Sequence, residues 1–360
     1  MSMNSILTVG NPHQTAEDLF GGIKLIADLQ AKARAALDPF IPENSQVALL
    51  DFPDNSNVGD SLIWLGETAY LAQRNLQPTY VCHMHNLDSE RLRATLNEKS
   101  VILMHGGGNF GTLWTDEQNF RLRILREFVG VPVVQFPQSI YFEDDGVLAA
   151  TREAIKRHGK YTLMVRDEAS YAFATSHFDC KVVLCPDMAF FIGSLSSPAV
   201  APFDRFILAR TDHEAAHHWF VDAPHLSGGA TVFHSDWLEQ GTTEKLLNRM
   251  QVHSVGLRKL LDPRNTGLFK LMNRVSRARL ARGKQLLEQG RVVIADRLHV
   301  HILSILLNKP HVLIDNKYRK LGTFHEAWTT GYGGVKFVNT LEEAYAAARE
   351  FDLQLRAAQG

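Results

Sequence analysis

Short apolar runs alternate with stretches of helical period along almost the whole chain. The runs at 46–52, 79–83, 101–104, 131–136, 161–165 and 181–185 have the length of buried strands and end in polar residues. Between them, Leu62 to Arg74, Leu87 to Leu96, 117–129 and 144–158 repeat apolar residues three and four apart, the spacing of one helix face. This β–α alternation predicts a parallel, doubly wound sheet over roughly 46–195. Ser194 to Pro202, rich in Ser and Pro, breaks the rhythm and reads as a linker. A strand at 205–209, a helix at 267–289 and a strand at 292–295 resume it, whereas 213–265 is polar, rich in His and without a clear period. Thr15 to Leu37 and 341–357 are amphipathic helices at either end. The chain is therefore expected to be α/β, with two Rossmann-like domains whose parallel sheets face a cleft. The expected bounds are 1–197 and 198–340, followed by a C-terminal helix at 341–360.

The chemistry is expected where buried strands stop, because helix N-termini and loops meet there. In 291–307 an apolar strand ends in Asp296, Arg297 and His299. A helical pattern follows, with Leu298, Ile302, Ile305 and Leu306 on one face. A cation and an imidazole beside a helix N-terminus suit a small, highly charged anion. Lys317, Arg319 and Lys320 follow the next strand and add charge. The structural alternative is a turn closed by an Asp296–Arg297 salt bridge.

His105-Gly106-Gly107-Gly108-Asn109 follows another buried strand. Three glycines permit positive φ and bring N–H groups close to a ligand, as an anion or oxyanion nest; a tight turn would need them equally. Neither G-x-G-x-x-G nor G-x-x-x-x-G-K-[ST] occurs, which argues against dinucleotide or P-loop binding, and no G-x-S-x-G elbow supports a hydrolase. Asn57-x-Gly59-Asp60 offers a bend, with Asp60 or Ser61 as helix cap. Gln138 and Ser139 lie in a strand-end loop, and Arg166 stands at a further strand end, free for a ligand or paired with Asp167 or Glu168. His213, His217 and His218 lack an accompanying carboxylate motif and read as solvated surface rather than a metal site. Trp114, Trp219 and Trp237 are either sugar-stacking platforms or ordinary packing.

Taken together these pieces resemble the polysaccharide pyruvyl transferase family. The matching motifs are Asn57-Val-Gly59-Asp60, His105-Gly-Gly-Gly-Asn109-Phe-Gly111, Pro137-Gln138-Ser139, Arg166-Asp167-x-x-Ser170, Pro186-Asp187, Asp296-Arg297-Leu298-His299 and Leu313-Ile-Asp315-Asn316. Thr112 follows Gly111 where near relatives in the family often carry Asp. The resemblance implies a GT-B-like arrangement and transfer of pyruvate from phosphoenolpyruvate onto two sugar hydroxyls as a ketal. It implies Arg297 and Leu298 as phosphoenolpyruvate positions and His299 as the catalytic one, with Arg166 fitting as a further donor ligand. Lys317 is a candidate cation for the same anion. The glycine loop, Asn57, Gly59, Asp60, Gln138 and Ser139 fall to the acceptor or anion side. The acceptor implied is a glycan, free or lipid-linked, and no step demands a metal or cofactor. A GT-B-type glycosyltransferase with a nucleotide-sugar donor is the competing reading, and a non-catalytic anion- or sugar-binding protein a third.

Composition narrows the partners. The 38 Lys and Arg against 39 Asp and Glu leave no basic excess for nucleic acid. Cys82, Cys180 and Cys185 sit in apolar segments without C-x-x-C spacing, as buried thiols of a reducing compartment do. With no apolar run of membrane-spanning length and no signal-like start, the expected location is cytoplasmic; contact with the inner membrane face is compatible with these counts.

Overall fold

The computed structural model describes residues 18–195, 201–208, 228–235, 237, 266–315 and 320–357. Lys317 and Arg319 lie outside the described residues, as do the predicted linker from 196 to 200, His213, His217, His218, Trp219 and the first residues of the Thr15–Leu37 helix.

Two parallel sheets are present. The first contains β1 (Gln46–Leu50), β2 (Pro78–Val81), β3 (Ser100–Met104), β4 (Gly107–Gly111), β5 (Val133–Tyr141), β6 (Tyr161–Val165) and β7 (Lys181–Leu184). Its order is β2-β1-β3-β5-β6-β7, with β4 added alongside β5. The second contains β8 (Phe203–Leu208), β9 (Val232–Ser235), β10 (Gly290–Ala295), β11 (His311–Ile314) and β12 (Val335–Val338), in the order β12-β11-β10-β8-β9. Both follow the doubly wound pattern in which the second strand lies outside the first and the third on its other side. The direction of winding therefore reverses between β1 and β3 in one sheet, and between β8 and β10 in the other. The crevice outside strand carboxyl ends at such a reversal is where this architecture binds ligands. The loops carrying Asn57, His105 and Arg297 leave β1, β3 and β10, three of those four strands.

Among the described residues three helices tie the halves together. The first, α1 (Gly22–Leu37), buries Ile26 and Leu29 in a core with Phe206, Ile207, Val293 and Ile294 of the second sheet. Its far end buries Ala33 and Leu37 against Val47 and Leu49 of the first. The helix α2 (Val58–Gln73) does likewise, with Val58 and Leu62 in the former core and Trp64 in the latter. The remaining helices of the first half are α3 (Ser89–Thr95), α4 (Thr115–Glu127), α5 (Asp145–His158) and α6 (Glu168–His177). The second half adds α7 (Thr266–Glu288), α8 (Leu298–Leu306), α9 (Lys320–Phe324) and α10 (Leu341–Ala357). Although α7 precedes β10 in sequence, it runs back over the first half. Met272 and Val275 join the core of the first sheet, Asn273 Oδ1 accepts from Trp64 Nε1 at 2.8 Å, and Arg279 Nη1 donates to Pro53 O at 2.9 Å. Among the described residues no helix is long and apolar enough to cross a membrane.

Three local expectations need correction. The helix expected from Leu62 begins at Val58, and its cap is Asn57, whose side chain accepts from Gly59 N at 3.0 Å; Asp60 sits in the first turn. Gln138 and Ser139 are not in a loop but inside β5, which runs on to Tyr141. The glycine stretch is not a free loop either, because Gly107 to Gly111 form β4.

The second half buries a line of polar rings. His311 Nδ1 lies 3.0 Å from Lys309 O, His311 Nε2 is 2.7 Å from His301 Nδ1, and His301 Nε2 is 2.8 Å from Thr329 Oγ1. A carbonyl only accepts, so His311 carries its proton on Nδ1 and accepts at Nε2. His301 then donates from Nδ1 and accepts from Thr329. Every ring is neutral in this scheme, and a proton added at His311 Nε2 would meet the His301 Nδ1–H unless that ring changed tautomer. Burial accordingly holds His301 well below its ordinary value and His311 down at about 4. The unfolded chain takes up these protons from about pH 6.5, so the stability His311 contributes is complete above that pH and is lost as pH falls toward 4. Asp51, pushed up to about 6 by burial, acts in the opposite sense. At pH 5, His311 alone costs about 2 kcal/mol and Asp51 returns about 1 kcal/mol. With His301 on the losing side as well, and Glu67 and His105 on the side of Asp51, the denaturant midpoint of His311→Gln is expected to fall less between pH 7 and 5 than that of the wild type. An equal fall in both would remove the histidine line as a cause.

Candidate active site

Residues from the three strand ends line α2: Asn57 caps it, His299 lies against Gly59 in its first turn, and His105 against Glu67 further along. Arg297 is the N-cap of α8 and is buried, Leu298 packs against the apolar core behind it, and His299 occupies the first turn. The Nδ1 edge of His299 lies against Gly59: a Cβ at that glycine would stand 2.5 Å from Nδ1 and 2.7 Å from Cγ. No side chain larger than hydrogen fits, which gives the Asn57-x-Gly59-Asp60 motif a physical reason beyond the bend. A Gly59→Ala enzyme is therefore expected to lose stability by about 1–3 kcal/mol, the cost of overpacking, of which the helix preference of Ala returns at most about 1 kcal/mol. Its turnover should fall roughly tenfold to a hundredfold as the imidazole is displaced. Steady-state kinetics beside a melting curve checks both halves of that statement.

Asn57 holds the approach from the other side. Its Oδ1 accepts from Trp237 Nε1 at 2.9 Å, and its Nδ2 donates to Asp60 Oδ2 at 3.2 Å. Asn55 Nδ2 donates to the same Asp60 oxygen at 2.9 Å. Trp237 is thus a buried packing residue with a polar tether, not a sugar platform. Trp114, which follows β4, is 42% exposed.

Arg166 is held in place by the protein. Its Nη1 donates to Asp187 Oδ2 at 2.6 Å and its Nε to Ser139 Oγ at 3.0 Å, so neither Asp167 nor Glu168 is its partner. Ser139 Oγ passes on to Asp167 Oδ2 at 2.8 Å, and Asp167 caps α6. Gly108 lies under the guanidinium: a Cβ there would be 3.2 Å from Nη2. Asp187 was visible in the Pro186-Asp187 motif but was given no role by the sequence. It is buried, caps the short helical turn Met188–Ile192, and its Oδ2 also stands 3.6 Å from His299 Nε2. Burial alone would raise its carboxyl, but His299 and Arg166 beside it hold it well below the usual carboxylate range.

The His105 group faces inward. Glu67, wholly buried on α2, accepts from Gly106 N at 2.8 Å and lies 2.9 Å from His105 Nδ1. Burial pushes the Glu67 carboxyl up, while burial would lower His105 but Glu67 lifts it above its ordinary value. Asn109 N donates to Gln138 Oε1 at 3.2 Å and Gly111 N to Gln118 Oε1 at 3.1 Å. Gln138 Nε2 donates to His105 O at 3.0 Å and to Asn109 Oδ1 at 2.9 Å, and Arg121 Nη2 reaches the latter oxygen at 2.9 Å. The amides of Gly106, Asn109 and Gly111 are therefore committed within the protein, and the expected nest is a braced strand edge. His105, Gly106, Asn109 and Gln138 shape the floor of the site, while Asn57, Gly59, Asp60, Gly108, Ser139, Arg166, Arg297 and His299 gather around it.

An α/β enzyme whose site is assembled from two doubly wound halves is what this arrangement defines. Residues 57–318 match the model of the polysaccharide pyruvyl transferase family, and the chain belongs to that family. The match runs from Asn57 past His299 and so spans both halves of the site. Pyruvyl transferase 1 of Schizosaccharomyces pombe is 31% identical over 300 residues, 79% of this chain and 70% of that protein. EpsO of Bacillus subtilis is 28% identical over 313 residues, 86% of this chain and 93% of that one. A functionally uncharacterised protein of Klebsiella pneumoniae, solved by crystallography, shares the fold with a TM-score of 0.55 at 17% identity, over 86% of this chain and 98% of its own.

Proposed function

We propose that this enzyme moves pyruvate from phosphoenolpyruvate onto two hydroxyls of a sugar in an exopolysaccharide or its lipid-linked repeat unit, releasing phosphate. The observation that carries the reading is the placement of Arg297 and His299 at the start of α8, against the N-terminus of α2. Four helices of the first half begin with Asn57, Asp88, Asp144 or Asp167, each accepting from the first-turn amides. At the same position α8 carries Arg297, which has no acceptor to offer. A bound phosphate or carboxylate would complete that N-terminus and pair with the guanidinium. Phosphoenolpyruvate has both groups.

In the proposed reaction His299 supplies a proton to the methylene carbon as a sugar hydroxyl adds to C2. The hydroxyl proton replaces the one His299 has given. The C2–O bond to phosphate then breaks, the second hydroxyl adds at C2, and its proton leaves with the phosphate. The family's acceptor class supports a sugar on the side of the first sheet, where the half-buried Asp60 and Ser139 and the exposed Trp114 offer acceptors and a stacking face. We read the two halves as a GT-B-like pair around this cleft, acting at the cytoplasmic face of a membrane where the acceptor is lipid-linked.

Calorimetry with phosphoenolpyruvate, followed by phosphate release with pools of free and lipid-linked oligosaccharides, tests this. Saturable donor binding and acceptor-dependent phosphate release are expected. Donor-like binding of a nucleotide sugar, with phosphoenolpyruvate ignored, would replace the reading with glycosyl transfer.

A further inference from the structure

We propose that Asp187 is the positioning residue for His299: reaching from one sheet to the other, its carboxylate anchors the Nε2 side of the imidazole and leaves Nδ1 as the working nitrogen. The inference rests on the catalytic role proposed for His299. The two groups come from different halves, since Asp187 follows β7 and His299 opens α8. The carboxylate is the fixed partner. Its Oδ1 accepts from Ala189 N at 2.9 Å, its Oδ2 accepts from Arg166 Nη1 at 2.6 Å, and the residue is 1% exposed. Arg166 is itself held by Ser139 and lies over Gly108. Asp187 therefore cannot turn to follow the ring, and the ring must come to it.

His299 retains 13% exposure while its Nε2 is buried, 3.6 Å from Asp187 Oδ2. The protonated ring gives the methylene proton from Nδ1, and the neutral imidazole that remains keeps its proton on Nε2, toward the anion, with its lone pair on Nδ1 ready for the hydroxyl proton. The Nδ1 edge lies along Gly59 at the start of α2, beside Asn57 and Asp60. Carboxylate, imidazole and reacting atom would then follow one another as in other sites where a buried acid orients a histidine. One feature differs: the acid and the histidine belong to separate halves. The separation of 3.6 Å exceeds a hydrogen bond, and a small closing movement would make a short, charge-assisted one. His299 would thus be fully oriented only when the two halves close on substrate.

Two measurements test this. Nitrogen NMR of 15N-histidine-labelled wild-type protein, with His299→Gln identifying the signal, reads the tautomer directly. A protonated Nε2 and bare Nδ1 in the neutral ring are expected, and a bare Nε2 overturns the proposal. In Asp187→Asn, kcat is expected to fall about a hundredfold, within the range seen when a group orienting a ligand or base is lost. KM for phosphoenolpyruvate should not rise, because Arg297 is untouched and Arg166 loses its anionic partner. Asp187→Glu should recover part of kcat. Turnover within twofold of wild type in Asp187→Asn refutes the positioning role. Should that variant not fold, the wild-type tautomer decides alone. Full turnover in His299→Gln would instead remove the catalytic reading, while the tautomer still reports whether Asp187 holds the ring.

Discussion

A His299→Gln enzyme should bind phosphoenolpyruvate about as tightly as the wild type and turn it over roughly 10²–10⁴-fold more slowly. Glutamine is close in size, and the site can hold it without collapse, because the ring is packed on one side by Gly59 and backed by Asp187. What glutamine cannot do is give up and regain a proton. The donor's charge is met mainly by Arg297 and the start of α8, which the substitution leaves in place. The loss should therefore fall on kcat and not on KM, the pattern of an interaction made only in the transition state. Equal turnover in the variant would sink the role of His299. A tenfold rise in KM with kcat unchanged would make it a binding residue instead.

The second large effect is on folding. Glu67→Ala is expected to destabilise the protein by about 3–5 kcal/mol, the range for removing one partner of a buried pair. The substitution strands two groups together: His105, whose protonated form Glu67 favours, and the Gly106 N–H, which donates to the same carboxylate. Glu67→Gln keeps one acceptor and should cost less, about 1–3 kcal/mol. Urea denaturation of the three proteins gives the order. A loss below about 1 kcal/mol in Glu67→Ala, against the several kcal/mol expected for a broken buried pair, would mean that the pair does not brace the glycine strand.

These two effects separate what the motifs do. His299, Arg297 and Gly59 stand at the crevice, whereas His105, Gly106, Asn109 and Gln138 build the surface beneath it. Both groups stood out in the sequence for one reason: polar residues and glycines directly after a buried strand are conspicuous. Conspicuous position does not tell a group facing a ligand from one facing a helix. Glu67 shows why. It lies mid-helix, in an apolar pattern that gives no hint of a charge, and only the packing of α2 over β3 and β4 brings it to His105. Asp187 was readable as a strand-end residue, but its neighbours Arg166 and His299 lie 21 and 112 positions away.

The sequence by itself determined the α/β class, the existence of most strands and helices, and which strand ends carry polar chemistry, because each depends on periodicity within a window of some ten residues. Boundaries such as the start of α2 at Asn57, or the run of β5 through Gln138, depended on hydrogen bonds to partners that the window does not contain. Only the tertiary structure decided that His299 rests on Gly59, that Arg166 is held by Asp187, and that α1, α2 and α7 tie the two halves together. Those contacts join residues far apart in the chain. They are fixed by the shape complementarity and the pairing of buried charges between elements, neither of which is written in local order along the sequence.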